Sequence, residues 1–455
     1  MLQPHRTGRL LAAALVLGAA APAAAQQGTA VNIPFEKYTL ANGLEVILAP
    51  DRSLPAVAID LWYNVGSRNE PAGRTGFAHL FEHMMFEGSQ NVGRQEHISM
   101  LMGAGSANLN GTTNEDRTNY YEVVPPNRVN LALWLESDRM RSLNVSAEKL
   151  HVQQEAVKEE KRMRVDNVPY VPSLYQALYT ASYNPQTCFA YGHTIIGSME
   201  DLNAASLSDV QSFFKTYYAP SNATLTLTGD FDPAQVKGLI QQYFSDIPSV
   251  PKAPEVQCTQ PFAHFPARDT VQDPNATLPA YMASYGAVAL GTPDSYALQL
   301  LGSILGSGES SRLQQRLVRQ EKAASNVVAG AQLRRGPGIM LFWVTPNQGV
   351  ALDRVEALTD EEIARVRDGG VTQAELDRVK NQYRSQAVRG LQTAFGRAEA
   401  LNRYELFYGD ASLIRTDLDR YMAVTREDIQ RVARQYLVPN NRLVIVTLPA
   451  SAAKK

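Results

Sequence analysis

Cysteine, excess positive charge and long hydrophobic runs are all scarce in this chain of 455 residues. The two cysteines, Cys188 and Cys258, lie too far apart for a zinc motif, so they are either unpaired buried thiols or one disulfide bridge. The formal net charge is −2, and without a basic excess we expect no nucleic-acid partner. The 44% share of hydrophobic residues is ample for two or more domains.

One apolar run stands out at the N-terminus. Arg6 and Arg9 precede an apolar stretch at 10–21, and three alanines follow at 23–25. This order is typical of a secretory signal peptide, and the stretch is too short to span a bilayer comfortably. We therefore expect residues 1–25 to be removed on export to a bacterial periplasm. No later segment is long and apolar enough to predict a membrane span.

A short apolar segment carries three polar residues in the pattern His-x-x-Glu-His: His79, Glu82 and His83. At about 100° per residue, all three side chains leave one face of a single helical turn, while apolar residues cover the rest. With 7 histidines in the whole chain, chance occurrence of the pattern is about one per cent or less. Two buried imidazoles and a carboxylate need a partner, and a metal ion is one. The alternative is a core helix with hydrogen-bonded histidines.

A helix predicted at 146–165 offers a third ligand for such an ion. On its helical wheel Glu160 lies in the middle of the apolar stripe, with Val157 and Met163 among its neighbours. Glu159 is about 100° away, at the edge of the stripe. A carboxylate directed into a core needs a cation, so we predict Glu160, and not Glu159, as the metal ligand.

The ligand set predicts the chemistry. Two imidazoles and one carboxylate with one open position are best suited to zinc, and we expect one Zn2+ ion per chain. Zinc lowers the pKa of water at the open position, so Glu82 is predicted to act as the general base and to deliver the proton to the leaving amine. The expected reaction is peptide hydrolysis without a covalent intermediate.

The chain also repeats itself at an offset of 219 residues. The segment 209–228 resembles 428–447, and each reads as a helix, a proline and a strand. A repeat at constant offset predicts two homologous lobes. We expect a catalytic lobe at 26–247, a proline-rich linker at 248–274, and a second, non-catalytic lobe at 275–455, because the second lobe lacks the histidine motif.

These features resemble the pitrilysin/insulinase family of zinc peptidases, whose inverted zinc motif is His-x-x-Glu-His. The resemblance covers nearly the whole mature chain and is carried by GFAHLFEHM at 76–84, LESDRM at 135–140, the glutamates at 159–160, YGH at 191–193 and GESSRL at 308–313. It implies that His79, His83 and Glu160 bind zinc and that Glu82 is the base. The implied fold is α+β, with two homologous lobes that each pack helices on a mostly antiparallel sheet and together form half of a clamshell.

The resemblance also implies roles for residues around the metal. Family members often carry a second glutamate seven residues before the last ligand, and here Gln153 stands in its place, able to hydrogen-bond a ligand but not to contribute charge. Asn110 belongs to a stretch similar to the strand that pairs with substrate, although a polar surface strand is the alternative. Arg312 matches a substrate-binding arginine, but the tyrosine expected near 324–326 is missing.

We therefore expect a zinc metalloendopeptidase that hydrolyses peptides or unfolded polypeptide segments. A chain of this size resembles one half of a clamshell, which implies a homodimer or a heterodimer with a homologous subunit. One alternative is a non-catalytic assembly or chaperone-like subunit, and the intact His-x-x-Glu-His motif argues against it. Another zinc hydrolase, such as an amidase, is a third interpretation.

Overall fold

The computed structural model describes residues 32–106, 108–263 and 265–450. The predicted signal peptide at 1–25 lies outside these residues. Among the helices that the structure describes, none has the length and apolar character needed to cross a membrane.

The described residues form two sheets with helices packed on them. The strands are β1 (Glu36–Thr39), β2 (Glu45–Pro50), β3 (Val57–Tyr63), β4 (Asn108–Thr113), β5 (Thr118–Val124), β6 (Ala223–Gly229), β7 (Ala267–Asp273), β8 (Ala280–Gly286), β9 (Ala324–Gln332), β10 (Ile339–Pro346) and β11 (Arg442–Pro449). The helices are α1 (Phe77–Met84), α2 (Glu96–Gly103), α3 (Val129–Ser142), α4 (Ala147–Lys161), α5 (Val171–Tyr175), α6 (Met199–Ala204), α7 (Leu207–Tyr217), α8 (Pro233–Phe244), α9 (Pro293–Gly306), α10 (Leu352–Gly369), α11 (Gln373–Gly390), α12 (Ala394–Tyr408), α13 (Asp417–Ala423) and α14 (Arg426–Tyr436).

The two sheets share one topology. The first has the order β1-β2-β6-β3-β5-β4 and the second the order β7-β11-β8-β10-β9. In each sheet one pair is parallel, β2 with β6 and β7 with β11, and the other neighbouring strands are antiparallel. Without β1, the five strands of the first sheet match the five of the second in order and direction. The predicted α+β fold with two homologous lobes is confirmed.

The repeat at an offset of 219 residues extends to individual hydrogen bonds. Helices α7 and α14 both begin with a capping box, formed by Ser206 with Asp209 and by Thr425 with Asp428. After each helix an asparagine amide donates to the carbonyl of the last helical tyrosine, at 2.8 Å in one lobe and 2.9 Å in the other. The same local sequence therefore ends the helix and starts the strand in both lobes.

Each lobe contributes residues that pack on the sheet of the other lobe, which the sequence did not predict. Helix α12 lies in the segment assigned to the second lobe, yet Asn402 of α12 accepts a hydrogen bond from Thr226 Oγ1 at 2.6 Å and donates to the carbonyl of Asp60 at 2.9 Å, both in the first sheet. In return, Ala177 of the first lobe packs against Met282 and other residues of the second sheet. The exchange buries both faces of each sheet, so β3 and β8 are buried along their whole length.

The segment predicted as a linker at 248–274 is only partly a linker. Its last residues form β7, which pairs in parallel with β11, so the second sheet begins earlier than position 275. Of the two interpretations of the cysteines, the structure has the bridge: Cys188 and Cys258 form a disulfide with Cα atoms 4.1 Å apart. Because Cys188 is buried in the first lobe, the bridge fastens the remaining linker onto that lobe.

Candidate metal centre

Helix α1 is held at its start by a buried carboxylate. Glu70 accepts hydrogen bonds from the backbone N–H groups of Gly76 at 2.8 Å and Ala78 at 2.7 Å, which occupy donors that a helix N-terminus leaves free. Gly76 has a φ of 88°, and a Cβ there would lie 2.6 Å from the carbonyl oxygen of Ile196. Only glycine fits this entry to the helix without strain.

The imidazoles of His79 and His83 converge on the carboxylate of Glu160. Glu160 Oε2 lies 3.6 Å from His79 Nε2 and 3.3 Å from His83 Nε2. The two ring centroids are 4.9 Å apart. One ligand atom from each of the three side chains lies within 4.8 Å of the others, so a single metal ion could contact all three. Two nitrogens and one carboxylate oxygen form a donor set that suits zinc.

The protonation states of His79 and Glu160 also suit a cation. Burial lowers the pKa of His79 to about 4, so its imidazole is neutral near pH 7 and has a lone pair to share. The hydrogen bond with His83 holds the pKa of Glu160 below its usual range, so this side chain is a carboxylate. Although burial opposes it, the hydrogen bond with Glu160 raises the pKa of His83, so this ring must lose a proton when a metal binds. A neutral imidazole and an ionised carboxylate are the forms in which these residues bind metals.

Glu82 lies on the same helix but makes a different contact. Its Oε2 accepts a hydrogen bond from Thr113 Oγ1 in β4 at 2.6 Å. Burial raises the pKa of Glu82, which makes its carboxylate a stronger base than a solvated one. Gly111 of β4 leaves room for the side chain, since a Cβ there would lie 3.0 Å from Glu82 Cγ. The strand therefore holds the Glu82 carboxylate beside the three side chains.

Helix α4 presents Glu160 to α1 and directs Glu159 to solvent, where Glu159 pairs with Arg162 at 2.9 Å. The apolar stripe drawn from the sequence is only partly buried: Val157 is buried, whereas Met163 is exposed. The α-helix ends at Lys161, and a π-helical turn follows at Arg162–Asp166 in place of the predicted continuation. Met163 lies in this turn.

The other residues expected near the substrate lie in different places. Asn110 is exposed on β4, an edge strand, and lines a cavity of about 690 Å³ together with Glu82 and His83. Arg312 lies in the second lobe, where its guanidinium donates to Glu375 at 2.7 and 2.9 Å. Within this chain the Arg312 side chain therefore faces its own lobe.

Two partners of the centre were missed by reasoning from the sequence. The first is Thr113, which donates a hydrogen bond to Glu82. The second is Glu87, which accepts a hydrogen bond from Gln153, and the side-chain oxygen of Gln153 lies 3.1 Å from His83 Nδ1. Helical periodicity could not reveal Glu87, because α1 ends at Met84. No local pattern links Thr113 to the motif either, since the two meet where helix α1 packs against strand β4.

A second buried cluster combines His97 with Glu122 and Glu136. Arg139 already occupies this cluster, and Arg139 Nε donates to Glu136 Oε2 at 2.9 Å. The guanidinium also lies over the ring of Tyr120 at 4.3 Å. Because a fixed cation neutralises Glu136, we interpret this cluster as structural and not as a second metal site.

Comparison with known proteins assigns the family. Residues 45–190 match the family described as insulinase, peptidase family M16, and residues 204–383 match the family described as peptidase M16 inactive domain. The chain belongs to peptidase family M16. The first of these M16 segments contains the His-x-x-Glu-His motif and Glu160, and the second contains neither.

Individual relatives cover nearly the full chain. Zinc protease PqqE of Helicobacter pylori is 28% identical over 91% of this chain and 93% of that protein. An uncharacterised zinc protease of Mycobacterium tuberculosis is 28% identical over 88% of this chain and 90% of its own length. The crystal structure of a protease from Helicobacter pylori has a TM-score of 0.85 at 26% identity and covers 91% of this chain and 99% of that one. The predicted membership of the insulinase family is confirmed.

Proposed function

We propose that this chain is a zinc metalloendopeptidase that hydrolyses peptides or unfolded polypeptide segments. The observation that carries the proposal is the convergence of His79 Nε2, His83 Nε2 and Glu160 Oε2 beside a separate buried carboxylate. An ion held by the three leaves that carboxylate, Glu82, free to act on water. The relatives named zinc proteases support the same function.

Each residue of the site has a defined task in this proposal. Zinc, when bound, supplies a Lewis acid that polarises the scissile carbonyl and acidifies water. Glu82 accepts a proton from the attacking water and passes it to the leaving amine. The hydroxyl of Thr113 fixes the Glu82 carboxylate through one oxygen and leaves the other for the proton.

The surroundings of the site favour an extended peptide as substrate. Strand β4 forms the outer edge of the first sheet and pairs only with β5 among the described strands. An extended chain can therefore add to β4 through backbone hydrogen bonds, beside Glu82, and this kind of pairing accepts many sequences. The cavity beside His83 can take a side chain of the bound peptide.

We further propose that the protein works in the periplasm after removal of residues 1–25, together with a second copy or a homologous subunit. Arg312 is engaged by Glu375 within its own lobe, so one chain alone does not bring this arginine to its own metal centre. A partner that closes over the centre would complete the substrate-binding surface.

Three variants test the proposal. Glu82→Gln should keep zinc and lower peptide hydrolysis by about 10²–10⁴-fold, because it removes the base and no ligand. Glu160→Gln should lose zinc, whereas Glu159→Gln, the matched control on the exposed side of the helix, should keep both zinc and activity. Zinc content by mass spectrometry of metals and cleavage of a quenched peptide are the two measurements.

The alternatives make different predictions in the same assays. If the unaltered protein binds zinc but cleaves no peptide, either alone or with a homologous subunit, the result would favour a non-catalytic assembly or chaperone-like subunit over a peptidase. Hydrolysis of a small amide as fast as that of a long peptide would instead favour an amidase.

A further inference from the structure

A chain of four side chains leads away from the candidate metal centre. His83 Nδ1 lies 3.1 Å from Gln153 Oε1, and Gln153 Nε2 lies 2.6 Å from Glu87 Oε1. Arg94 Nε donates to the same Oε1 at 3.2 Å and forms an ion pair with Glu87. Each contact is within hydrogen-bond distance. Glu87 therefore stands between a surface arginine and the residue that touches His83.

Glu87 is a buried carboxylate, with its side chain 2% exposed. Burial of an ionised carboxylate is costly unless partners satisfy it. Its two partners are the amide of Gln153 and the guanidinium of Arg94. Glu87 contributes nothing to the ligand set itself, so its burial next to the centre needs another explanation.

The chemistry of the groups fixes the direction of every hydrogen bond in the chain. An ionised carboxylate can only accept, so Gln153 must turn its NH₂ group to Glu87 and its oxygen to His83. That oxygen can also only accept, so the proton of the His83 ring must sit on Nδ1. When the ring is neutral, as it must be to bind a metal, the lone pair is on Nε2 of His83, the atom 3.3 Å from Glu160.

We propose that Glu87 is a positioning residue for the zinc ligand His83. It supplies the negative charge that Gln153 lacks, and it orients the Gln153 amide so that its oxygen accepts from Nδ1 of His83 and leaves Nε2 for the metal. The inference depends on the proposed function, because it gives His83 the role of a zinc ligand. In this arrangement the carboxylate of Glu87 acts on the ligating His83 through the neutral amide of Gln153 and does not contact the histidine directly.

The variant Glu87→Gln tests the proposal. An amide at position 87 can present either its oxygen or its NH₂ group to Gln153, so the orientation of Gln153 and the tautomer of His83 are no longer fixed. Loss of such an outer partner typically weakens metal binding by about 10–100-fold, and we expect a loss in this range. Zinc affinity is measured by competition with a chromophoric chelator. The matched control is Glu96→Gln, since Glu96 is exposed, lines the same cavity and bonds only the backbone of Gly93 at 2.8 Å.

The double variant Glu87→Gln/Gln153→Glu provides the rescue. It exchanges the amide and the carboxylate, so a carboxylate now accepts directly from His83 Nδ1 and the amide at position 87 donates to it. Zinc affinity should return to within about threefold of the unaltered protein. A purely structural role of Glu87 would not be rescued by this exchange.

The outcomes separate this inference from the proposed function. No zinc binding by the unaltered protein would reject the proposed function itself. Zinc binding by the unaltered protein with equal affinity in Glu87→Gln would reject the positioning role alone. If Glu87→Gln does not fold, Gln153→Met removes the amide link and keeps both end groups, and it should show the same 10–100-fold loss; unchanged affinity in that variant would again reject the role.

Discussion

Arg334 joins the two lobes next to the strand that holds Glu82, and its replacement by methionine should destabilise the protein. Arg334 lies between β9 and β10 of the second lobe, with a side chain 6% exposed. Its Nε lies 2.9 Å from Glu115 Oε1, and its guanidinium donates to the hydroxyl of Tyr183 at 2.7 Å. All these partners belong to the first lobe, so Arg334→Met breaks a buried ion pair across the lobe interface.

The size of the effect follows from burial. Removal of one partner of a buried ion pair costs about 3–5 kcal/mol, and Glu115, whose side chain is 14% exposed, places the cost near the lower value. With an unfolding entropy of about 2.1 cal/mol/K per residue, a loss of about 3 kcal/mol lowers the melting temperature of a chain of this length by about 3 °C. The matched control is Arg319→Met, because Arg319 pairs with Glu309 on the surface, where both side chains are more than half exposed. That pair contributes about 0–1 kcal/mol, so its loss shifts melting by at most about 1 °C.

Arg334→Met should also affect catalysis. Glu115 belongs to the turn between β4 and β5, and Thr113, two residues earlier, holds Glu82. A loosened turn displaces the base, and a displacement near 1 Å costs about 10²-fold in rate. Thermal melting by circular dichroism and peptide hydrolysis at equal zinc occupancy are the measurements. Equal melting temperatures for Arg334→Met and Arg319→Met would refute the reasoning, and so would full activity in Arg334→Met.

Three further predictions concern single features of the structure. Thr113→Val should keep zinc and lower kcat by about 10-fold or more, since it removes a hydrogen bond to a charged group worth about 1.5–3 kcal/mol. Burial raises the pKa of Asp60 to about 7, so its contribution to stability is complete below about pH 4 and is lost as the pH rises through 7. Asp60→Asn should flatten the fall in melting temperature between about pH 4 and 7. The double variant Cys188→Ala/Cys258→Ala opens a loop that spans 70 positions and should cost about 4 kcal/mol, and reductant should lower the melting temperature of the unaltered protein but not of this variant.

The local part of the site follows from the sequence because it depends on a single helical period. His79, Glu82 and His83 lie within five residues, so their common face is set by the geometry of one turn. The choice of Glu160 over Glu159 follows in the same way from one helical wheel. The two-lobe fold could be predicted because a repeated segment at constant offset must adopt the same local structure twice.

Contacts between distant segments could not be predicted in this way. Thr113 reaches the centre because β4 packs against α1, and Glu87 reaches it from a turn after α1; neither contact follows a helical period. The limits of the lobes were also predicted incompletely, since β7 begins inside the expected linker and α12 packs on the first sheet. These contacts join positions far apart in the chain, and many pairings satisfy the same local pattern.

The proposed chemistry could be predicted from local sequence: three polar side chains on one apolar turn, and a fourth on a second helix, predict a metal centre and its base. The surroundings of that centre depend on the folded chain. Arg334 of the second lobe bonds the turn after β4, and Glu87 bonds the amide that faces His83. Both contacts depend on where separate segments meet after folding, and that meeting is set by the packing of the whole core and not by any local pattern.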